Sequence, residues 1–245
     1  METLPPTASP SLALACPSCG QSGTGRYCAA CGEARHAHRI TVAHLLHEVF
    51  HLFTHVEQGF LYTLRELLLR PGTTQARYLA GQRARFQKPF SAFFVACTVT
   101  ALGQFALKSL LTRWYGVDDD STDFFRHYFS LLQVGLLPLY TLVAWAFFRR
   151  QRYNYAEWAV ITAYSLSLLL YGALALNLLR LLWPSFDTKY VELPLIVVYN
   201  TLTYWRLFPA EARGELMSKS LLINTACFAL SNSLAELVVA YGHHG

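Results

Sequence analysis

Residues 90–111 read FSAFFVACTVTALGQFALKSLL, a run of 22 with one charge, Lys108, near its far end. A helix rises 1.5 Å per residue, so about 20 apolar residues cross the ~30 Å hydrocarbon core of a bilayer. Four more runs of this kind follow, at about 129–148, 158–182, 190–208 and 220–241. Over the whole chain 53% of residues are hydrophobic and 14% charged, where a soluble domain carries about 25% charged residues. The expectation is an all-α membrane protein whose residues 90–245 form a bundle of about five transmembrane helices. Aromatic residues mark many run ends, among them Phe90, Trp114, Tyr128, Trp158, Trp183, Tyr190, Trp205 and Tyr241, as an interfacial belt requires. Glu192 and Pro194 fall in the first turn of the fourth run, where a proline is tolerated.

Basic residues orient the bundle. Nine of the twenty Lys/Arg precede residue 90, Arg149, Arg150 and Arg152 follow the second run, and Arg206, Arg213 and Lys219 flank the last connection. That sets fifteen on one side; Lys108, Arg113, Arg126, Arg180 and Lys189 lie on the other, with Asp118, Asp119, Asp120 and Asp123. Positive charge stays on the cytoplasmic side. The N-terminus is therefore expected inside and, after five crossings, His243 and His244 outside. Lys108, Arg180, Glu192 and Glu236 fall toward the outer ends of their runs, within reach of headgroups. Asn177, Asn200 and Asn224 lie deeper. Hydrogen bonds between helices account for them; a polar path through a small transporter is the alternative.

Ahead of the runs, residues 1–15 read as a disordered lead. The stretch SLALAC at 11–16 looks like a lipoprotein cleavage site, yet the first basic residue is Arg26 and Pro5, Pro6 and Pro10 interrupt the lead, so the basic start and apolar middle of a signal are missing. Next come Cys16-Pro17-Ser18-Cys19-Gly20 and Cys28-Ala29-Ala30-Cys31-Gly32. Each C-x2-C turn aims two thiolates at one point, and the glycine permits the tight turn. Four thiolates suit the tetrahedral shell of a structural Zn2+ and leave no open position for catalysis. Two disulfides or an iron centre are the alternatives, disulfides being disfavoured in the cytoplasm. Residues 16–35 thus read as a zinc knuckle, of zinc-ribbon type. A metal makes so small a unit foldable, and such a unit commonly serves as a docking surface for a protein partner. Between Cys16 and Cys31 the only basic residue is Arg26 and the only aromatic Tyr27, so nucleic acid is not expected.

Residues 41–89 read as an amphipathic cytoplasmic helix and a basic juxtamembrane segment. Thr41 is the expected N-cap of a helical run over 42–70, on which His44, His47, His51 and His55 share one stripe. Leu45, Leu46, Val49, Phe50, Leu52, Phe53 and Val56 cover the other sides, the pattern of an interfacial helix with histidines at its polar boundary. The stripe contains His47-Glu48-Val49-Phe50-His51, the H-E-x-x-H arrangement of metalloproteases, in which Glu48 would be the general base. A second metal site on His47, His51 and His55, or a membrane metallohydrolase, is the alternative. Pro71-Gly72 ends the helix. Arg77, Arg83, Arg85 and Lys88 then form a basic cluster suited to anionic lipid headgroups.

These motifs resemble a family of bacterial membrane proteins known as domain-of-unknown-function family 3667. The resemblance rests on the paired Cys-x-x-Cys-Gly turns, His51-Leu52-Phe53-Thr54-His55, Gly59-Phe60-Leu61-Tyr62-Thr63, Arg70-Pro71-Gly72, and Gly81-Gln82-Arg83 leading to Lys88-Pro89. Gln82 stands where the family form has lysine. The resemblance implies a knuckle and membrane bundle in a bacterial inner membrane and supplies no activity. The expected function is a non-enzymatic membrane scaffold or adaptor, with the bilayer and a protein as partners; a homo-oligomer is compatible with it.

Overall fold

The computed structural model describes residues 14–35, 39–42, 45, 59–116, 123–183 and 188–242, leaving aside the side chains of 123–131, 189 and 235–242. A two-residue ribbon comes first: β1 (Leu14–Ala15) pairs antiparallel with β2 (Ser22–Gly23), Leu14 opposite Gly23. Seven α-helices follow among the described residues: α1 (Phe60–Leu69), α2 (Thr73–Leu79), α3 (Pro89–Tyr115), α4 (Asp123–Phe147), α5 (Tyr155–Leu178), α6 (Lys189–Leu207) and α7 (Arg213–Gly242). A 3-10 turn, Leu179–Leu181, prolongs α5.

The long helices begin and end where local chemistry dictates. Pro89 opens α3, where its missing N–H costs nothing, and Gly116 ends it at φ 62. Asn154 and Glu157 form a reciprocal capping box at α5, Asn154 Oδ1 accepting from Glu157 N at 2.8 Å and Glu157 Oε2 from Asn154 N at 2.7 Å. Helices α3 to α7 coincide with the five apolar runs, and α4 and α7 start earlier, at Asp123 and Arg213. Two stretches are long and apolar enough to cross a membrane, Pro89–Tyr115 and Tyr155–Leu181; Leu132–Phe147 is a shorter apolar stretch. Pro194 lies in the second turn of α6, not the first, because the helix starts at Lys189.

The 42–70 run is not one continuous helix. Val42 and Leu45 are helical and Leu45 N bonds Thr41 O at 3.1 Å, but α1 starts afresh at Phe60 behind Gly59, whose φ of 103 no helix accommodates. The helix over Thr73–Leu79 was not legible in the apolar pattern; Gln75 starts it by accepting from Gly72 N at 2.6 Å.

Polar residues are buried beside the apolar core, and large apolar residues face outward. Thr63, Gln75, Gln87, Ser91, Thr100, Thr141, Ser167, Thr203 and Ser220 are buried, while Leu102, Phe105, Leu142, Leu193, Val198, Leu221, Leu222 and Phe228 are exposed. In the α3–α5 core, Phe93, Ala96, Val160, Ala163 and Tyr164 are buried together. A second core sits where α4 and α6 end and α5 and α7 begin. There Phe148 stacks on Trp158 and Phe208 at 5.0 and 5.1 Å between ring centroids, and Lys219 Nζ lies 5.0 Å from the Phe148 ring. This end of the bundle also carries Arg149, Arg150, Arg152, Arg206 and Arg213.

Candidate metal centre and its seat on the helices

The two cysteine turns are copies of one another. Gly20 N bonds Cys16 O and Gly32 N bonds Cys28 O, both at 2.9 Å, and the glycines have φ of 77 and 72. Cys16 N reaches Gln21 O at 3.0 Å, and Cys28 N reaches Glu33 O at 2.8 Å. These repeats bring the four sulfurs together. Cys16 lies 3.5 Å from Cys31, Cys19 lies 3.5 Å from Cys28 and 3.6 Å from Cys31, and all four Sγ are within 4.8 Å of one another. Ligands about 2.3 Å from a tetrahedral zinc lie about 3.8 Å apart, so the cluster can hold a metal ion of that size. Arg35 braces it by donating to Leu14 O at 2.7 Å and Gln21 O at 2.6 Å.

The electrostatics suit a cation. Backbone N–H groups of Ala30 and Cys31 hold the Cys28 thiol down to about 6. That of Cys19, and then that of Ser18, lower Cys16. At Cys31 the Glu33 N–H acts downward, but burial and the sulfurs of Cys16, Cys19 and Cys28 outweigh it and push the thiol up to about 12. Four thiolates this close repel one another, so a proton on Cys31 is favoured, and a bound cation would replace it.

The knuckle sits on the helices. Glu33, 5% exposed, accepts at Oε2 from Arg83 N at 2.6 Å and Ala84 N at 2.7 Å, and Gln82 Nε2 donates to Pro17 O at 2.9 Å. Behind the knuckle, Arg39 grips Glu157 with two bonds of 3.0 and 3.2 Å and donates to Arg152 O at 2.6 Å; the Glu157 bond raises the Arg39 pKa further. Asn154 Nδ2 donates to Ile40 O at 3.1 Å. The α1–α2 hairpin forms the rest of the seat. Glu66 is buried between Arg77 and Arg70, at 3.3 and 3.7 Å. Arg206 donates to Leu69 O at 3.2 Å, Thr63 Oγ1 accepts from Gln87 N at 2.8 Å, and Tyr164 OH donates to Gln87 O at 2.5 Å. The outward side of α1 carries Leu61, Leu68 and Leu69, all exposed.

The expected basic cluster divides. Arg77 turns inward to Glu66 and Gln82 and lies over the Phe86 ring, and Arg83 packs on Tyr78 with Nε 3.3 Å from Tyr78 O. Arg85 and Lys88 remain exposed. His44, His47, Glu48, His51 and His55 lie outside the described residues. The asparagines divide between two interhelical contacts. Asn177 donates to Glu192 at 2.9 Å, and Asn200 donates to Asn224 at 2.7 Å. Glu192 and Asn200 are eight positions, about 12 Å, apart along α6. Glu192, expected only to reach for headgroups, has a partner within the bundle.

Glu33, Arg39, Glu66 and Glu157 carry the seat, and sequence reasoning had singled out none of them. Two of them left a local signal: Glu157 in the capping-box spacing Asn154-x-x-Glu157, and Glu66 four residues before Arg70.

Fold and site define a mostly helical protein with two helices able to cross a membrane and a four-cysteine cluster able to hold a metal. A family model described as "Protein of unknown function (DUF3667)" matches residues 57–101 and supports membership of that uncharacterised family. The match spans α1, α2, their loop and the first half of α3, and it stops short of the knuckle. No curated protein and no solved structure matches.

Proposed function

We propose that the chain is a five-span scaffold or adaptor of a bacterial inner membrane, non-enzymatic, with its N-terminus cytoplasmic and its C-terminus outside. A structural Zn2+ on Cys16, Cys19, Cys28 and Cys31 organises its cytoplasmic end. One observation carries the reading: four cysteine sulfurs within 4.8 Å of one another, enough to complete a tetrahedral shell, stand at the basic end of an apolar-surfaced bundle. A closed tetrahedral shell is structural rather than catalytic. Arg85 and Lys88, the exposed pair of the basic cluster, face anionic headgroups, with Arg77 and Arg83 bracing the surface beneath them.

The test is the metal content of detergent-purified protein beside a variant with all four cysteines changed to serine. One zinc per chain, absent from the variant, supports the reading. A second metal that survives in the variant and is removed by His47→Ala and His51→Ala overturns it in favour of a metallohydrolase using Glu48.

A further inference from the structure

Both cysteine turns touch the loop that leads into α3, and they touch it at neighbouring residues. We propose that the surface organised by the metal is occupied in cis by residues 82–84, so that metal occupancy sets access to this stretch of the loop. The inference rests on the reading that the four cysteines hold a metal.

Glu33 follows directly on the second turn. Its carbonyl accepts from Cys28 N at 2.8 Å, so a ligand turn sets its position, while its carboxylate takes the N–H groups of Arg83 and Ala84 at 2.6 and 2.7 Å. A largely buried carboxylate receiving two N–H donors is a strong, charge-assisted contact. The first turn adds Pro17 O, which accepts from Gln82 Nε2 at 2.9 Å. Each turn supplies one part of the contact; Arg35, beside the second turn, reaches Leu14 O and Gln21 O beside the first, and the metal is the main tie between the turns, because so small a unit cannot fold by burial alone. Loss of the metal therefore releases both parts at once. Other loop bonds do not involve the knuckle: Phe86 N reaches Arg83 O at 3.0 Å, and Gln87 N reaches Thr63 Oγ1 at 2.8 Å. They stay in place when it leaves. What is uncovered is a backbone edge between Arg83 and Arg85, suited to anionic headgroups.

The experiment is residue-resolved amide hydrogen exchange on the full chain in nanodiscs, with metal content measured on each sample. Metal-loaded protein, chelated protein and metal-loaded Glu33→Ala are compared. The Arg83 and Ala84 amides should exchange about tenfold faster or more in the last two, the ratio set by a hydrogen bond to a charged acceptor. Phe86 and Gln87 should not change. Unchanged Arg83 and Ala84 protection after the metal has left overturns the inference while leaving the metal reading intact. A chain that takes up no metal overturns both, and the metal analysis identifies that case. Should Glu33→Ala loosen Phe86 and Gln87 as well, the chelated wild type alone decides.

Discussion

Replacing Gly72 with alanine should unseat the α1–α2 hairpin from α6. Gly72 has φ 77 and ψ −51, and a Cβ built there lies 2.3 Å from Thr203 O and 2.8 Å from Arg206 Cβ. Neither atom can swing aside: one is backbone, and the other is the root of a side chain. Backbone strain of this kind costs about 1–3 kcal/mol, and forcing packed elements apart costs about 1–3 kcal/mol more. The expected loss is therefore roughly 2–6 kcal/mol. Gly116→Ala is the control. Its φ of 62 imposes strain, but nothing lies within 4 Å of the added methyl, so it should cost only about 1–2 kcal/mol. Reversible unfolding of both variants in mixed micelles, with SDS as denaturant, measures the difference. If Gly72→Ala loses no more than Gly116→Ala, the turn is not pressed against α6 and the account of the seat is wrong.

Three further outcomes are expected. The Cys28 thiolate is favoured in the folded knuckle, its pKa lowered from 9.0 to about 6; its stabilisation is complete above pH 9.0 and is lost as pH falls through about 6. Metal release, followed with a chromogenic chelator, should therefore grow on acidification, and retention unchanged down to about pH 4 would contradict the cysteine assignment. Tryptophan placed at Leu61 or Leu68, both exposed on α1, should be quenched by brominated lipids; quenching only by aqueous iodide would put this side of α1 in water. A double-mutant cycle on Asn200→Ala and Asn224→Ala should give a coupling of about 0.6–2 kcal/mol, and strict additivity would mean that their 2.7 Å bond contributes nothing to stability.

The long helices and the cysteine cluster were legible in the sequence because both are local. Apolar runs of bilayer length make helices, and C-x2-C-G makes a turn that aims two sulfurs at one point. The hairpin was harder to read. Gly59 and Gly72 stand at the N-caps of the two hairpin helices, but Thr73–Leu79 is a seven-residue helix, too short for periodicity to reveal. The basic cluster looked uniform because four cations in twelve residues carry no sign of which will find a carboxylate. Arg77 turns inward only because Glu66, eleven residues away, is brought beside it across the α1–α2 turn.

By itself, the sequence determined that long apolar runs become helices, two of them long and apolar enough to cross a membrane, that basic residues gather at one end of them, and that four cysteines can share a cation. Hydrophobicity, charge and short spacing settle those matters before any helix has a neighbour. Tertiary structure alone decided that Glu33 meets Arg83 across 50 positions, that Arg39 meets Glu157 across 118, and that Asn200 rather than Asn177 pairs with Asn224. Such pairings depend on the order and rotation of packed helices. A buried polar group must find whichever partner the packing brings near it, and no local pattern records which one that is.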